Sequence, residues 1–518
     1  MKHCWNERDI KDALRDLPRG LDATYDRILE NIEDDRVRAR VKLVLQLVAV
    51  AREPLSLDDI VEALAVDCES ETIDPKGRIQ DPSVVLKHCS NLLELYENWT
   101  GYVKKLRLRF AHFSVKEYLV SPRILQSPRP SSFFAIAEQE AHQISTTICL
   151  IYLISIPDMK SDTNSFLKYS ATYWYQHVKQ ITGKSRRELE VGLAMKLFVS
   201  PSDILMARWL SIHDPQRFGS PMFIGSPIYF SSLLGLINIT AALIAQHADV
   251  NLRGGDYGNA LQAASFGGHK EIVELLLERG AEVNMQGGVY STALQAASCE
   301  GRKEIVELLL ERGAEVNMQG GHYGSALGAA ACWGQKEIVE LLLERGAEVN
   351  MQSGHYGNAL QAASCEGHKE IVELLLERGA EVNMQSGRYG NALQAASCEG
   401  RKEIVELLLE RGAEVNMQGG HYGSALQAAS YGGHKEIVEL LLERGAEVNM
   451  QGGRYGSALQ AASYGGHKEI VELLLERGAE VNMQGGHYGS ALRAASCGGH
   501  KEIVELLLER GRVDSSSA

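Results

Sequence analysis

Tyr257–Gly288 reads YGNALQAASFGGHKEIVELLLERGAEVNMQGG, and most of the chain beyond it repeats this phrase. The opening tyrosine recurs as Tyr290, Tyr323, Tyr356, Tyr389, Tyr422, Tyr455 and Tyr488, always 33 residues apart and without insertion. A fixed period of this length implies a solenoid built from one supersecondary unit. Within the unit, Asn259 (Thr, Ser or Asn in other copies) is a helix N-cap. A first helix over about Ala260–Phe266 places Ala260, Leu261, Ala263 and Ala264 on one arc and Gln262, Ser265 and Phe266 on the other. Gly267-Gly268 makes a turn, and a second helix runs from about Lys270 to Arg279. Its apolar arc of Ile272, Val273, Leu275, Leu276 and Leu277 is too wide to be covered by one neighbour. Gly280 suits a left-handed C-cap, and a Gly-rich hairpin at Gly287-Gly288 follows. No copy buries its apolar surface alone, so stacking must create the core.

The phrase GGHKEIVELLLERGAEVN resembles the ankyrin repeat, whose pattern is G-H-x-E-V-V-x-L-L-L-x-x-G-A-D-V-N. The resemblance covers residues 226–511. It departs where the family's T-P-L-H becomes N-A-L-Q, T-A-L-Q or S-A-L-Q, keeping the cap and losing the proline and histidine. Ser226–Asn251, SPIYFSSLLGLINITAALIAQHADVN, aligns without a gap as a ninth, degenerate first copy that lacks the glutamate pattern.

The net charge of −14 follows from the repeats. Lys270 and Arg279 against Glu271, Glu274, Glu278 and Glu282 give −2 per copy, so the acidity is a solvated outer face. General nucleic-acid binding needs the opposite sign and is not expected. The nine cysteines show no C-x-x-C. Cys299, Cys332, Cys365 and Cys398 share one repeat position, and helices about 8–10 Å apart hold them too far for a disulfide. Reduced thiols and the lack of a charged-then-apolar start point to an intracellular, cytoplasmic protein. The most apolar run, Ile144–Ile156, is too short to cross a bilayer and reads as a core helix; no membrane partner is expected.

Ahead of the repeats, Asn6–Asp16, Leu21–Ile32 and Arg40–Ala51 read as helices, followed by one over Leu57–Val66 capped by Ser56 with Asp59 at its third position. Another runs from Asp81-Pro82 to about His88. Leu92–Glu97 and Val103–Phe110 read as strands around a turn at Asn98–Gly101, with Leu106, Leu108 and Phe110 facing in and Arg107 and Arg109 facing water. Ser114–Val120 is a short helix. LPRGLDATYDRIL (Leu17–Leu29), PLSLDDIVEALAVD (Pro54–Asp67) and FAHFSVKEYLVS (Phe110–Ser121) resemble the winged-helix region that follows the NACHT ATPase core in fungal NOD-like receptors, and the winged helix of GPI inositol-deacylase-like proteins. The phosphate loop of such a core is missing: Gly183-Lys184-Ser185 is a partial match with Val178 in place of the first glycine. From Ser132 to His213 the pattern is helical, with Phe166, Tyr169, Tyr173 and Trp174 on one core stripe; His142, His177 and His213 lack metal-ligand spacing.

The expected architecture is mainly α. A winged-helix (α+β) domain (1–125) and a helical linker domain (126–225) precede an α-solenoid of nine ankyrin repeats (226–511) and a disordered tail (512–518). Leu506, Leu507 and Leu508 repeat the interior sequence at the last copy, which predicts an uncapped apolar end and self-association there.

The copies differ at few places. Before the tyrosines stand Asp256, Val289, His322, His355, Arg388, His421, Arg454 and His487. At the end of the first helix the differing residues include Phe266, Trp333, Tyr431 and Tyr464. In ankyrin folds the hairpin tips and the exposed arc of the first helix line a concave groove. The resemblance therefore implies a protein ligand held there, with these four aromatics as anchors and the tip histidines giving pH sensitivity; drift of exposed positions is the alternative. No triad, metal set or phosphate loop points to an enzyme or a cofactor. The resemblance implies the sensing half of a fungal NOD-like signalling receptor; a plain scaffold, or a DNA-binding regulator using Lys104, Lys105, Arg107 and Arg109, stays open.

Overall fold

The structure, a computed structural model, describes residues 20–89, 91–100, 103–156, 165–181, 188–199, 204–213, 225–352 and 354–516. The expected helix at Asn6–Asp16 and the triplet Gly183-Lys184-Ser185 lie outside them, as do the side chains of Lys104 and Lys105. The chain forms two compact units, Met1–Pro227 with Leu236–His247 and Ile228–Gly235 with Ala248–Ala518.

In the first unit, helices α1 (Leu21–Glu30), α2 (Asp35–Val50), α3 (Leu57–Leu64) and α4 (Ser83–Cys89) accompany two antiparallel hairpins, β1–β2 (Val66–Asp67, Thr72–Ile73) and β3–β4 (Leu93–Thr100, Val103–Phe110). Short helices α5 (Phe113–Val120) and α6 (Pro122–Leu125) follow. α3 starts as its sequence predicts. The Asp59 amide donates to Ser56 Oγ at 3.1 Å and the Ser56 amide to Asp59 Oδ2 at 2.7 Å, a reciprocal capping box. The same carboxylate accepts Arg107 Nη1 at 3.0 Å, with the two side chains 2% and 14% exposed. Arg107 thus ties β4 to the start of α3 instead of facing water as expected. Leu106 is also displaced from expectation: it is 51% exposed, whereas Leu108 is 2% exposed. Leu106 lies nearer the turn, opposite Glu97, while the Leu108 amide donates to the Leu55 carbonyl at 2.7 Å and brings its stretch of strand onto the core.

A 3-10 turn (Pro130–Phe134) leads to α7 (Glu138–Ser155), α8 (Ser165–Val178), α9 (Glu188–Phe198) and α10 (Ile204–His213). α7 packs on α2 and α8, and α8 on α3, so the sequence boundary at 125/126 falls inside this unit. Phe166, Tyr169 and Trp174 are buried as the core stripe requires, and Trp209 donates its indole N–H to the Ala171 carbonyl at 2.8 Å. His142 and His177 meet through their Nδ1 atoms at 2.8 Å, and His177 Nε2 meets the Tyr169 hydroxyl at 3.0 Å. Burial pushes His177 down to about 3, so this pair is a neutral link between α7 and α8. No helix of the described residues is long and apolar enough to cross a membrane.

The second unit is the repeat array. α11 (Pro227–Leu233) opens the degenerate copy; its second helix, α12 (Ile237–Ala245), packs with α9 in the first unit. Eight helix pairs follow, from Ala260–Gly267 with Lys270–Glu278 to Ala491–Gly498 with Lys501–Ser516. Asn259 Oδ1 accepts the Gln262 amide at 2.9 Å, and Thr292 and Ser325 cap their helices in the same way. Gly280 has φ 87°, the left-handed conformation its C-cap position demands. First helices of adjacent copies pack on one another more extensively than second helices do, so the array curves with the first helices inside.

Each junction is also stapled by an asparagine. Asn350 Nδ2 donates to the Gly379 carbonyl at 3.2 Å while its Oδ1 accepts the Glu381 amide at 2.9 Å, and six equivalents run from Asn251 to Asn449. The last copy ends differently from the others. Residues 512–516, expected as a disordered tail, prolong its second helix, which runs Lys501–Ser516. Gly511 lacks the positive φ of its counterparts, and the Ala-Glu-Val-Asn segment that turns the chain elsewhere is replaced by Arg-Val-Asp-Ser.

Candidate binding face of the repeat array

Two ladders run along the inner side of the array. The first is made by the tyrosines that mark the repeat. Successive rings lie 5.9 Å (Tyr257–Tyr290), 6.0 Å (Tyr290–Tyr323), 6.4 Å (Tyr323–Tyr356), 6.1 Å (Tyr389–Tyr422), 6.2 Å (Tyr422–Tyr455) and 6.2 Å (Tyr455–Tyr488) apart, all stacked. Tyr356 and Tyr389 donate their hydroxyls to Glu366 and Glu399 at 3.0 and 3.2 Å. Burial raises the hydroxyls of Tyr290, Tyr356, Tyr389 and Tyr422 above the usual phenol range and keeps them neutral. The cysteine column lies against this ladder. Burial pushes Cys299 and Cys365 up to about 12 and Cys332 and Cys398 to about 11, which leaves them as protonated packing groups.

The second ladder is backbone. The Val289 amide donates to the Asp256 carbonyl at 2.9 Å, and the pattern continues through His322, His355, Arg388, His421, Arg454 and His487, each amide bonded to the tip carbonyl of the copy before, at 2.7–3.4 Å. All eight tip positions singled out by comparing copies are thereby held in one continuous row. The rings of His322 and His355 stack at 5.1 Å, and His322, His421 and His487 stand edge-on to their own tyrosines at 5.1–5.4 Å. His322, His355, Arg388, Arg454 and His487 are exposed; Asp256 and His421 are half-buried.

The aromatic candidates fall into two groups. Trp333 is 51% exposed and meets Tyr323 edge-on at 6.5 Å. Phe266, Tyr431 and Tyr464 are half-buried. Phe266 stacks on Tyr257 at 4.2 Å and Tyr290 at 5.5 Å, Tyr431 on Tyr455 at 4.7 Å, and Tyr464 on Tyr488 at 4.5 Å. They thicken the tyrosine ladder.

Gln262 and Ser265 were expected on the outward arc with Phe266, yet they are 1% and 0% exposed. Gln262 Nε2 donates to the carbonyls of Met285, Gly287 and Ser291 at 3.3, 3.1 and 2.6 Å, so this side chain holds the hairpin that carries the next tip. Gln295, Gln361, Gln394, Gln427 and Gln460 repeat the arrangement. The histidines of the G-H-K-E phrase also join one copy to the next. Nε2 of His368, His434, His467 and His500 donates to a carbonyl of the preceding copy at 2.9–3.0 Å.

In the first unit, Arg107 is paired with Asp59, and Arg109 with Glu94 at 2.7 Å, so these two arginines have carboxylate partners within the fold. Among the described residues no group of three or more His, Cys, Asp or Glu is placed to hold a metal ion.

A family model for ankyrin repeats (3 copies) matches residues 228–320, 288–353, 327–419, 360–452 and 425–517. Azaphilone pigments biosynthesis cluster protein L of Monascus ruber is 36% identical over 295 residues, 52% of this chain and 61% of that protein. Vegetative incompatibility protein HET-E-1 of Podospora anserina is 24% identical over 205 residues, 35% of this chain and 14% of that protein. The chain therefore matches about three fifths of the length of one curated relative and a seventh of the other. The crystal structure of the human ASB11 ankyrin repeat domain aligns at 29% identity and a TM-score of 0.38, covering 43% of this chain and 99% of that one. With a matching family model over more than half of its length, the chain belongs to the ankyrin-repeat family.

Proposed function

We propose that this chain is the recognition half of a fungal NOD-like signalling receptor, a cytoplasmic, non-enzymatic protein that grips a protein ligand along the hairpin-tip row and the first-helix ends. The observation that carries the reading is the distribution of differences. Core, asparagine staples and glycines are nearly identical from copy to copy, while the differences concentrate at the first-helix ends and at the hairpin tips, and the tips stand in one aligned row. Ankyrin repeats are a non-catalytic fold, and an invariant framework with a varied face is what selection for binding would leave. The capped α3 with its neighbouring helices and the β3–β4 hairpin support the winged-helix part of the reading. Similarity to a vegetative incompatibility protein supports placing the chain among fungal recognition proteins.

Proximity labelling in the source fungus, with the full chain as bait, tests this. Trp333→Ser combined with Arg388→Ser and Arg454→Ser touches only exposed side chains and is expected to remove most of the specifically labelled proteins. An unchanged set from the correctly folded variant would place recognition elsewhere. Self-association through the last copy belongs to the same proposal, on the 44% exposure of Leu508. A monomer by light scattering at tens of micromolar would count against it.

A further inference from the structure

From His322 onward every tip residue is a histidine or an arginine, in the order His322, His355, Arg388, His421, Arg454, His487. The outer helices carry the negative charge, so this row is a basic edge on an acidic protein. Among the described residues neither Arg388 nor Arg454 has a carboxylate partner, and both are exposed. The acidic groups that the ladder engages, Glu366 and Glu399, accept tyrosine hydroxyls.

The tip amides and carbonyls are consumed by one another. A partner therefore gains no β-augmentation here and must be read through side chains. The pitch of the row gives its shape. Neighbouring His322 and His355 rings are 5.1 Å apart, and the tyrosine rings beneath the row repeat every 5.9–6.4 Å. In an extended peptide, side chains on one side recur about every 6.6 Å. Carboxylates at alternate positions would meet successive cations without either chain bending.

We infer that the row from His322 to His487 binds an extended acidic segment of a partner protein, with carboxylates at alternating positions seated on Arg388, Arg454 and the protonated tip histidines. The inference rests on the recognition reading above and gives it a partner chemistry. A short cationic run on a chain of net charge −14 favours such a segment over a nucleic acid, which would meet that field along its whole length.

Binding should strengthen in acid. His355 faces His322, Arg388 and Tyr356, and His421 faces Arg388, Arg454, Tyr422 and Tyr455. Burial first, and then these cations, hold both histidines below the ordinary imidazole range in the free protein. At neutral pH His355 and His421 are therefore uncharged beside permanently charged arginines. An arriving carboxylate favours the imidazolium, so binding takes up protons and affinity rises as pH falls through the histidine range.

The test is fluorescence anisotropy of the full chain with a labelled peptide of about twelve residues alternating Glu and Ser. An isomer with its glutamates contiguous and a single-stranded oligonucleotide serve as competitors. The alternating peptide is expected to bind about tenfold tighter near pH 5.5 than near pH 7.5, and Arg388→Ala with Arg454→Ala to cost about tenfold at both. Circular dichroism verifies that the variant is folded, and Arg388→Glu is the second variant. Absence of peptide binding, equal binding of the contiguous isomer, preference for the oligonucleotide, or indifference to both arginine variants would each overturn the inference. Should the proximity-labelling variant lose its partners while the peptide fails to bind, the acidic-segment inference alone falls. Should both experiments be negative, the recognition reading falls with it.

Discussion

Leu375→Ala is expected to lower the unfolding free energy by about 2–5 kcal/mol and to open the array around its own copy first. Leu375 is 0% exposed, in the helix Lys369–Glu377, with Ile371 and Val372 buried beside it. Truncation removes apolar surface from water-free contact and leaves a cavity that close-packed neighbours fill only in part. The direction of spread follows from the architecture. Each copy contacts its neighbours, so stability is a sum of copy terms and junction terms. Hydrogen exchange should therefore accelerate in Lys336–Glu344 and Lys402–Glu410 far more than in Lys468–Glu476. Denaturant titration gives the magnitude. A loss below about 1 kcal/mol, or deprotection spread evenly along the array, would contradict a core supplied by adjacent copies. Leu508→Ala, at a side chain 44% exposed, is the control and should cost much less.

What could be read from the chain, and what could not, divides by sequence distance. The caps were legible because Asn259 reaches an amide three residues on, as Ser56 does at the start of α3. The left-handed glycines were legible because Gly280 ends a helix whose period is plain in the sequence. The partners of Gln262 lie up to 29 residues downstream, in the hairpin of the next copy, and no helical wheel contains them. Arg107 looked like the wet face of a strand because its partner Asp59 is 48 residues away. The site shows the same split. Differences between copies picked out the tip positions, but their alignment depends on backbone bonds between residues one full copy apart. The tyrosine ladder has the same range, so the sequence showed the tyrosines as a metronome and hid their stacking. For that reason Phe266, Tyr431 and Tyr464 read as free anchors, whereas each has one ring face on a tyrosine.

The residue that joins both ladders to the core is the buried glutamine, and replacing it tests the whole arrangement. In Gln394→Leu the volume is nearly kept and the hydrogen bonds are lost. Gln394 Nε2 donates to the Met417 and Gly423 carbonyls, each at 3.1 Å, and its Oε1 accepts the Asn391 amide at 3.1 Å. Gly423 keeps the Gly419 amide at 2.9 Å, but the other two backbone groups lose their partner. Orphaned buried backbone groups cost about 1–3 kcal/mol each, so a loss of about 2–6 kcal/mol is expected. The loss should be local in a telling way. The hairpin between Met417 and Gly423 carries the His421 tip, whose amide donates to the Arg388 carbonyl at 2.8 Å. Exchange at His421 and Arg454 should rise, and capture of a partner at the row should weaken, while the helix Lys402–Glu410 stays protected. If helix and hairpin instead lose protection together, the glutamine is holding the helices, and the hairpins are ordered by their glycines alone. Gly328 stands at the equivalent position in another copy, so the array already contains a junction without this glutamine. The tip that follows it, at Gly354-His355, should be the least protected of the row in the wild-type chain on the first outcome, and no different from the rest on the second.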